Sequence, residues 1–346
     1  MLARNAESLY WIGRYVERAD DTARILDVSV HQLLEDATVN PDTESRQLLA
    51  VLGITPPDGA TLDVWSLTEL VAYSAANAGS IVASVTSARE NTRGAREVVS
   101  TEMWECLNSM WNSVPERQRY ARQVGPHAFF SFVEERAAMF AGLADSTMSR
   151  DDGWRFVVLG RSLERVDMTA RLLAVRVLAA VHAPDWPTLL SASGADEAFM
   201  RAHGAASEPA KAAAFLLLDR GFPRSVLHAL TAAEECLTEL GGRPVSWQAP
   251  EPGRMEVGRM RTRLEYLNAA ELDQLPVLLG ELQLVCGAAS KAVAERYFPY
   301  DGPVEWSRQS ALTDLSPGGL GQRDVARTAM ERAAIAQTLI AQSEGA

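Results

Sequence analysis

One stretch of this chain is written twice, and the repetition limits the possible folds more than any other feature. Residues 13–26 read GRYVERADDTARIL and residues 160–173 read GRSLERVDMTARLL. The offset is 147, and nine of the fourteen positions are identical: Gly13/Gly160, Arg14/Arg161, Glu17/Glu164, Arg18/Arg165, Asp20/Asp167, Thr22/Thr169, Ala23/Ala170, Arg24/Arg171 and Leu26/Leu173. An internal repeat at this spacing predicts two related halves packed as one body.

Both copies carry a helical period. Leu9, Ile12, Val16, Ala19, Ala23, Leu26, Val30 and Leu33 follow one another at steps of three and four, which lines them along one stripe. Phe156, Leu159, Leu163, Val166, Ala170, Leu173, Val177 and Ala180 repeat the stripe. Arg14, Glu17, Arg18 and Asp21 share the opposite face at i, i+3, i+4 and i+7. A solvated face needs charge but not the same residue at the same place twice, and large rings (Tyr10, Trp11, Trp154) sit beside these charges. The two Glu-Arg faces are therefore expected to meet other helices or a ligand.

The rest of the chain also reads as helical, with no alternating strand pattern. A first helix is expected from Ala3 to Asp36, and short ones over Glu44–Leu52 and Ser66–Ala76. A second long helix is expected from Gly79 to Ser113, ahead of Pro115. Its seam is Ile81, Val85, Ala88, Thr92, Ala95 and Val99. Arg89, Arg93, Arg96, Ser100, Trp104 and Trp111 form a neighbouring stripe, whose arginines are expected to be partly buried and to find Glu17 or Glu164. A third helix follows Gly125-Pro126 with Phe129, Phe130 and Phe132 in the core. Asp151-Asp152-Gly153 caps the second copy, which is expected to reach His182. Residues 183–208 read as a looser connection. Ser225–Glu235 echoes Ser80–Glu90 at an offset of 145, so the duplication extends to a helix pair, although Glu234 and Thr238 stand where Arg89 and Arg93 would. Helices over Arg254–Asn268 and Glu271–Phe298 precede a tail with a last helix at Arg323–Gln342. The expected fold is all-α: a long antiparallel helical bundle with an internal duplication and pseudo-two-fold related halves. Residues 1–150 form the first repeat, 151–300 the second, and 301–346 the tail.

Composition narrows the functional classes. Net charge is −12, from 33 basic and 45 acidic residues, which disfavours nucleic acid and anionic membranes. No run of about 18 apolar residues predicts a membrane span, and no secretory leader is read at the start. Cys106, Cys236 and Cys286 are scattered, without CxxC, as reduced cytosolic thiols are. All basic residues but Lys211 and Lys291 are arginine, so any anion site is expected to use guanidinium forks. The five histidines show no HExxH or HxH spacing, and no Glu-x-x-His occurs, so no metal site is expected. There is no GxSxG and no phosphate loop. What remains is carboxylate beside guanidinium on facing helices. Such a pair can hold an anionic amino acid, peptide or phosphate, or can poise Glu17 or Glu164 as a general base if it is desolvated. The binding candidates are Trp11, Arg14, Arg18, Arg24, Arg89, Glu90, Arg93, Trp154, Arg161, Arg165 and Arg171.

The repeated residues also carry a resemblance. YWIGRYVERADDTARILDV, ARENTRGAREVVSTEMWECLN, TMSRDDGWRFVVLGRSLERVDMTARLL and RGFPRSV together resemble the bacterial alpha-E family, an all-helical domain with a Glu-Arg motif. The motifs fall on Glu17-Arg18 and Glu164-Arg165, with Ala-Arg-Glu-Asn at Ala88–Asn91. The resemblance implies a cytoplasmic protein that works with a circularly permuted ATP-grasp ligase and a transglutaminase-like protein in ATP-dependent peptide (amide) bond formation. No cofactor is then expected in this chain, and ATP and magnesium belong to the partner ligase. Three functions stay open: an accessory or co-catalytic subunit that binds an anionic amino acid, a peptide or the ligase; a stand-alone enzyme with a Glu base beside arginines; and a scaffold whose Arg-Glu networks only lock helices.

Overall fold

The computed structural model describes residues 1–35, 40–57, 59–178, 186–204, 209–242, 251–267 and 274–299. The expected tail helix at 323–342 lies outside the described residues, as do the end of the second copy and parts of the 183–208 connection. The described residues are all-helical, without a strand.

Helix α1 (Ala3–Glu35) and helix α7 (Asp152–Leu178) hold the two copies of the repeated stretch and cross at the centre. The expected apolar stripes are buried along most of their length, with Leu9, Ile12, Ala23, Leu26, Leu159, Leu163, Val166, Ala170 and Leu173 fully enclosed; Val16, Leu33 and Val177 are half-buried, and Ala180 lies outside the described residues. The crossing is tight because neither helix has a side chain at the contact. A β-carbon on Gly13 would overlap the Val157 carbonyl oxygen and stand 2.9 Å from the Arg161 amide nitrogen. A β-carbon on Gly160 would overlap the Tyr10 carbonyl oxygen and stand 3.2 Å from the Arg14 amide nitrogen. Position 10 matches 157 and 14 matches 161 in the repeated stretch, so each glycine meets the partners that correspond to the other's.

These contacts correct one expectation. Gly153 lies against Met1 and Leu9, Gly160 against Tyr10, and Arg165 against Glu17, so α1 and α7 step in the same direction. The central pair runs parallel. Short connections impose antiparallel packing only on helices adjacent in sequence, and five helices separate these two.

The helices between them are α2 (Pro41–Leu52), α3 (Val64–Thr68, continued by a π-turn at Glu69–Tyr73), α4 (Ile81–Gly94), α5 (Thr101–Val124) and α6 (His127–Thr147). After α7 come α8 (Trp186–Ala192), α9 (Asp196–His203), α10 (Pro209–Leu218), α11 (Val226–Gly241), α12 (Pro252–Glu265) and α13 (Leu275–Tyr297). Helix α1 packs on α4 and α6, with α5 behind them; helix α7 packs on α11 and α13, with α12 behind. Ser80 and Ser225 cap α4 and α11 identically. Each accepts from the backbone N–H three residues on, and each hydroxyl reaches back to the carbonyl six residues before, of Ser74 and Asp219 respectively.

The expected helix from Gly79 to Ser113 is broken. It ends at Gly94, and α5 starts afresh at Thr101, where Ser100 accepts from Met103 N at 3.2 Å. A hydroxyl at the N-cap offers the chain a new start that periodicity alone does not show. Helix α5 then continues through Pro115 to Val124, where a stop was expected. Helix α13 is long and apolar enough to cross a membrane, with a mean hydropathy of 1.4 over its best window. A third of that window is buried, and its stripe of Leu278, Leu279, Leu282, Cys286, Ala289 and Val293 lies within the core beside α7 and α12.

Candidate functional site

The charged faces of α1 and α7 meet each other. Arg18 donates to both oxygens of Glu164, at 2.5 and 3.0 Å, and Arg165 donates to both oxygens of Glu17, at 2.5 and 2.9 Å. Each pair is the planar, two-bond geometry that arginine makes and lysine cannot. The Glu and Arg of each motif therefore bind the Arg and Glu of the other copy.

Around Glu164 the enclosure is complete. Its side chain is 1% exposed, and Arg14 Nε stands 2.5 Å from its second oxygen. Arg14 also donates to Ser290 Oγ at 2.8 Å and to the Tyr10 hydroxyl at 3.2 Å, and Tyr10 and Ser290 bond each other at 2.6 Å. Burial alone would raise the Glu164 carboxyl, but the Arg14 and Arg18 guanidiniums outweigh it and bring it down to about 2. An ionised, fully engaged carboxylate of this kind is a poor proton acceptor. Burial likewise works against the Glu17 charge, and Arg165 and Arg224 prevail, lowering its carboxyl.

The network continues past Glu17. Arg224 pairs with Asp20 and, at 2.7 Å, with Asp21 Oδ1. Arg24 spans Asp20 and Glu134, both at 3.0 Å, and Arg171 closes the matched i,i+4 pair with Asp167 at 2.9 Å. Asp21 is the misfit. Its Oδ2 is buried without a hydrogen-bond partner, and burial, with Glu17 and Asp20 adding to it against Arg224, drives its carboxyl well up.

The structure places the remaining candidates elsewhere. Arg89, Arg93 and Arg96 do not reach Glu17 or Glu164. The break after Gly94 folds α5 back so that Arg89 lies over Trp111 at 4.6 Å and Trp104 at 5.5 Å, and Arg96 over Trp104 at 4.8 Å. Arg89 and Arg93 both pair with Glu90; Arg89 is partly buried as expected, whereas Arg93 and Arg96 are exposed because the chain leaves the helix after Gly94. Trp11 stacks on Tyr15 at 5.4 Å, and Trp154 donates to Asp145 at 3.3 Å beneath Arg150. Among the described residues, the one carboxylate within 4.0 Å of Arg161 is Asp145, at 3.8 Å. Sequence pattern does not mark Ser290 or Glu134, and it marks Tyr10 only as a ring beside the charges. Arg224 lies in RGFPRSV and was signalled by that motif. Among the described residues no group of three or more His, Cys, Asp or Glu is placed to hold a metal ion.

Between α1, α6 and α7 a cavity of about 70 Å³ remains. Gly13, Glu17, Val157, Arg161 and Arg165 line it on one side and the alanines of α6 on the other.

Two uncharacterized mycobacterial proteins are similar in sequence. The uncharacterized protein Mb2597 of Mycobacterium bovis is 28% identical over 79% of this chain and 33% of its own length. The uncharacterized protein Rv2567 of Mycobacterium tuberculosis is 27% identical over the same shares. The chain thus spans about a third of the length of these relatives. No solved structure matches it. Residues 1–298 match the model of the Alpha-E family, described as a predicted alpha-helical domain with a conserved ER motif. That match covers most of the sequence, and the chain belongs to the Alpha-E family.

Proposed function

We propose that this protein is a helical accessory subunit of a cytoplasmic ATP-dependent amide ligase system, in which it presents an anionic amino acid or peptide and docks the ligase. ATP and magnesium enter with that partner, a circularly permuted ATP-grasp ligase, and a transglutaminase-like protein works beside it. The two helical sets are a duplicated unit related by a pseudo-two-fold axis through the Gly13/Gly160 crossing, and the Glu-Arg motif is the bolt between them.

One observation carries this reading. Glu17 and Glu164 are consumed by Arg165 and Arg18, so the motif holds helices together instead of offering a base. That favours an accessory role over a stand-alone enzyme. Exposed charge flanks the α4–α5 turn, where Arg93 pairs with Glu90 at the end of α4 and Arg96, just past it, lies over the Trp104 ring. Arginine and tryptophan at a polar rim are what interfaces favour. The relatives' extra length is room for further domains joined to a helical body like this one.

Tagged protein isolated from its native host tests the reading. The expected result is copurification of an ATP-binding ligase, lost in Arg93→Glu/Arg96→Glu protein of unchanged helicity. Recovery of no ligase overturns the partnership. Substrate turnover by the purified chain alone, abolished in Glu17→Gln or Glu164→Gln, would establish the stand-alone enzyme in its place.

A further inference from the structure

The two sides of the helix crossing are matched at the bolt and unmatched beside it. On the Glu164 side, Arg14 is ion-paired with Glu164 and donates to Tyr10 and Ser290, although its buried Nε, close against Glu164, makes no aligned hydrogen bond. On the Glu17 side, the position matching Arg14 is Arg161 and the position matching Tyr10 is Val157. The helix packed there, α6, offers Ala137, Ala141 and Ala144. The phenol and hydroxyl that complete the first side have no counterpart, and the cavity of about 70 Å³ occupies the space.

Its charge is not balanced. Four guanidiniums line it, those of Arg24, Arg161, Arg165 and Arg224, against the carboxylates of Glu17 and Asp20. Arg165 is held by Glu17, Arg24 by Asp20 and Glu134, and Arg224 by Asp20 and Asp21. Arg161 is left over. Its side chain is 22% exposed, and among the described residues its one carboxylate within 4.0 Å is Asp145 at 3.8 Å, which Arg150 and Trp154 also claim. Burial, reinforced by Arg165, lowers its pKa, the mark of a cation short of a counter-ion.

We propose that this cavity is a carboxylate subsite, with Arg161 as the counter-ion and the α6 alanines as the floor for a short aliphatic end. A single water needs about 10–15 Å³ of such space, so the volume suits a carboxylate with one or two carbons, such as the end of an amino acid or peptide with a small side chain. Guanidinium with carboxylate is the pairing the rest of the network already uses. The proposal rests on the anionic amino acid or peptide of the functional reading, and not on the ligase partnership.

Calorimetric titration of the full chain with propionate, propionamide and inorganic phosphate tests it. Propionate is expected to bind and propionamide not to. Arg161→Met should weaken propionate at least about tenfold, the loss of one charge-assisted hydrogen bond or more. Ala141→Leu, which fills the floor and leaves every charge in place, should weaken it similarly. No propionate binding, binding that survives Arg161→Met, or binding of phosphate alone overturns the carboxylate subsite. The two readings fail separately: a chain that recovers the ligase but binds no propionate loses only the subsite, and one that binds propionate through Arg161 but recovers no ligase loses only the partnership.

Discussion

Arg18 and Glu164, 146 residues apart in the chain, are joined by two hydrogen bonds inside the protein, and Arg165 and Glu17 repeat the junction beside them. Two long helices are thus fixed in register by charge, where apolar packing alone would let them slide. Removing one member of a buried ion pair strands the other, at a cost of about 3–5 kcal/mol.

Glu164→Met is therefore expected to lower stability by that order, because it leaves Arg14 and Arg18 both facing an apolar group. The double variant Arg18→Met/Glu164→Met should recover part of the loss, since replacing a whole buried pair with apolar groups is often close to neutral. Urea unfolding of the two single variants and the double reads the coupling. Strictly additive losses would show that the pair does not act as a unit.

The glycines of the crossing are expected to be as sensitive as the charges. Gly13→Ala or Gly160→Ala would put a methyl into a backbone carbonyl of the facing helix, and backbone cannot swing aside. A cost of about 3 kcal/mol or more is expected, from helices forced apart over the whole contact. Gly142 of α6 and Gly287 of α13 are the controls. Nothing lies within 4 Å of a β-carbon at either, so alanine there should be neutral or stabilising by up to about 1 kcal/mol. Thermal melts of the four variants should separate into two pairs.

Much of this was legible in the residues. The doubled GRxxERxxxTARxL stretch marked the central helices, and the 3.6 period marked their buried stripes. Burial of the opposite, charged face was legible only as a choice between helices and ligand, because a charge pattern does not say what lies across from it. The α4–α5 break was invisible because Arg96 and Ser100 continue the helical spacing of Arg89 and Arg93; the Ser100 cap decides it, and a capping serine looks like any other in a periodic run. Ser290 reaches α1 from 276 residues away, a distance over which local pattern carries no signal; Arg224, 203 residues from Asp21, is marked by RGFPRSV, but the motif does not say what it meets.

Arg89 offers a check on the rebuilt hairpin. Its guanidinium lies between Trp104 and Trp111 and donates to Asn108 at 3.2 Å, linking α4 to α5. Arg89→Ala should cost about 1–2 kcal/mol, from the stacked cation and the packing of its stem. It should also alter tryptophan fluorescence in the native state. A continuous helix would hold Arg89 apart from those rings along its axis, and the substitution would then leave the emission unchanged.

The last expectation concerns pH, where two groups of one network act with opposite sign. The folded Glu164 carboxyl lies at about 2, below the ordinary value, because Arg14 and Arg18 overcome the effect of burial. Its stabilisation is present above the unfolded value and is lost as pH falls from the ordinary carboxylate range toward 2; Glu17 acts in the same sense. Asp21 is shifted upward, chiefly by burial and then by Glu17. Its contribution is present below the unfolded value and is lost as pH rises through the folded one, so at neutral pH its charge opposes folding. Asp21→Asn keeps an oxygen for Arg224 and removes that charge. It should stabilise the protein at pH 7, with the gain shrinking as pH falls toward the ordinary carboxylate range. Urea midpoints for wild type and Asp21→Asn between pH 4 and pH 8 test this, and a variant less stable than wild type at pH 7 would show that Arg224 needs the Asp21 charge more than burial resists it.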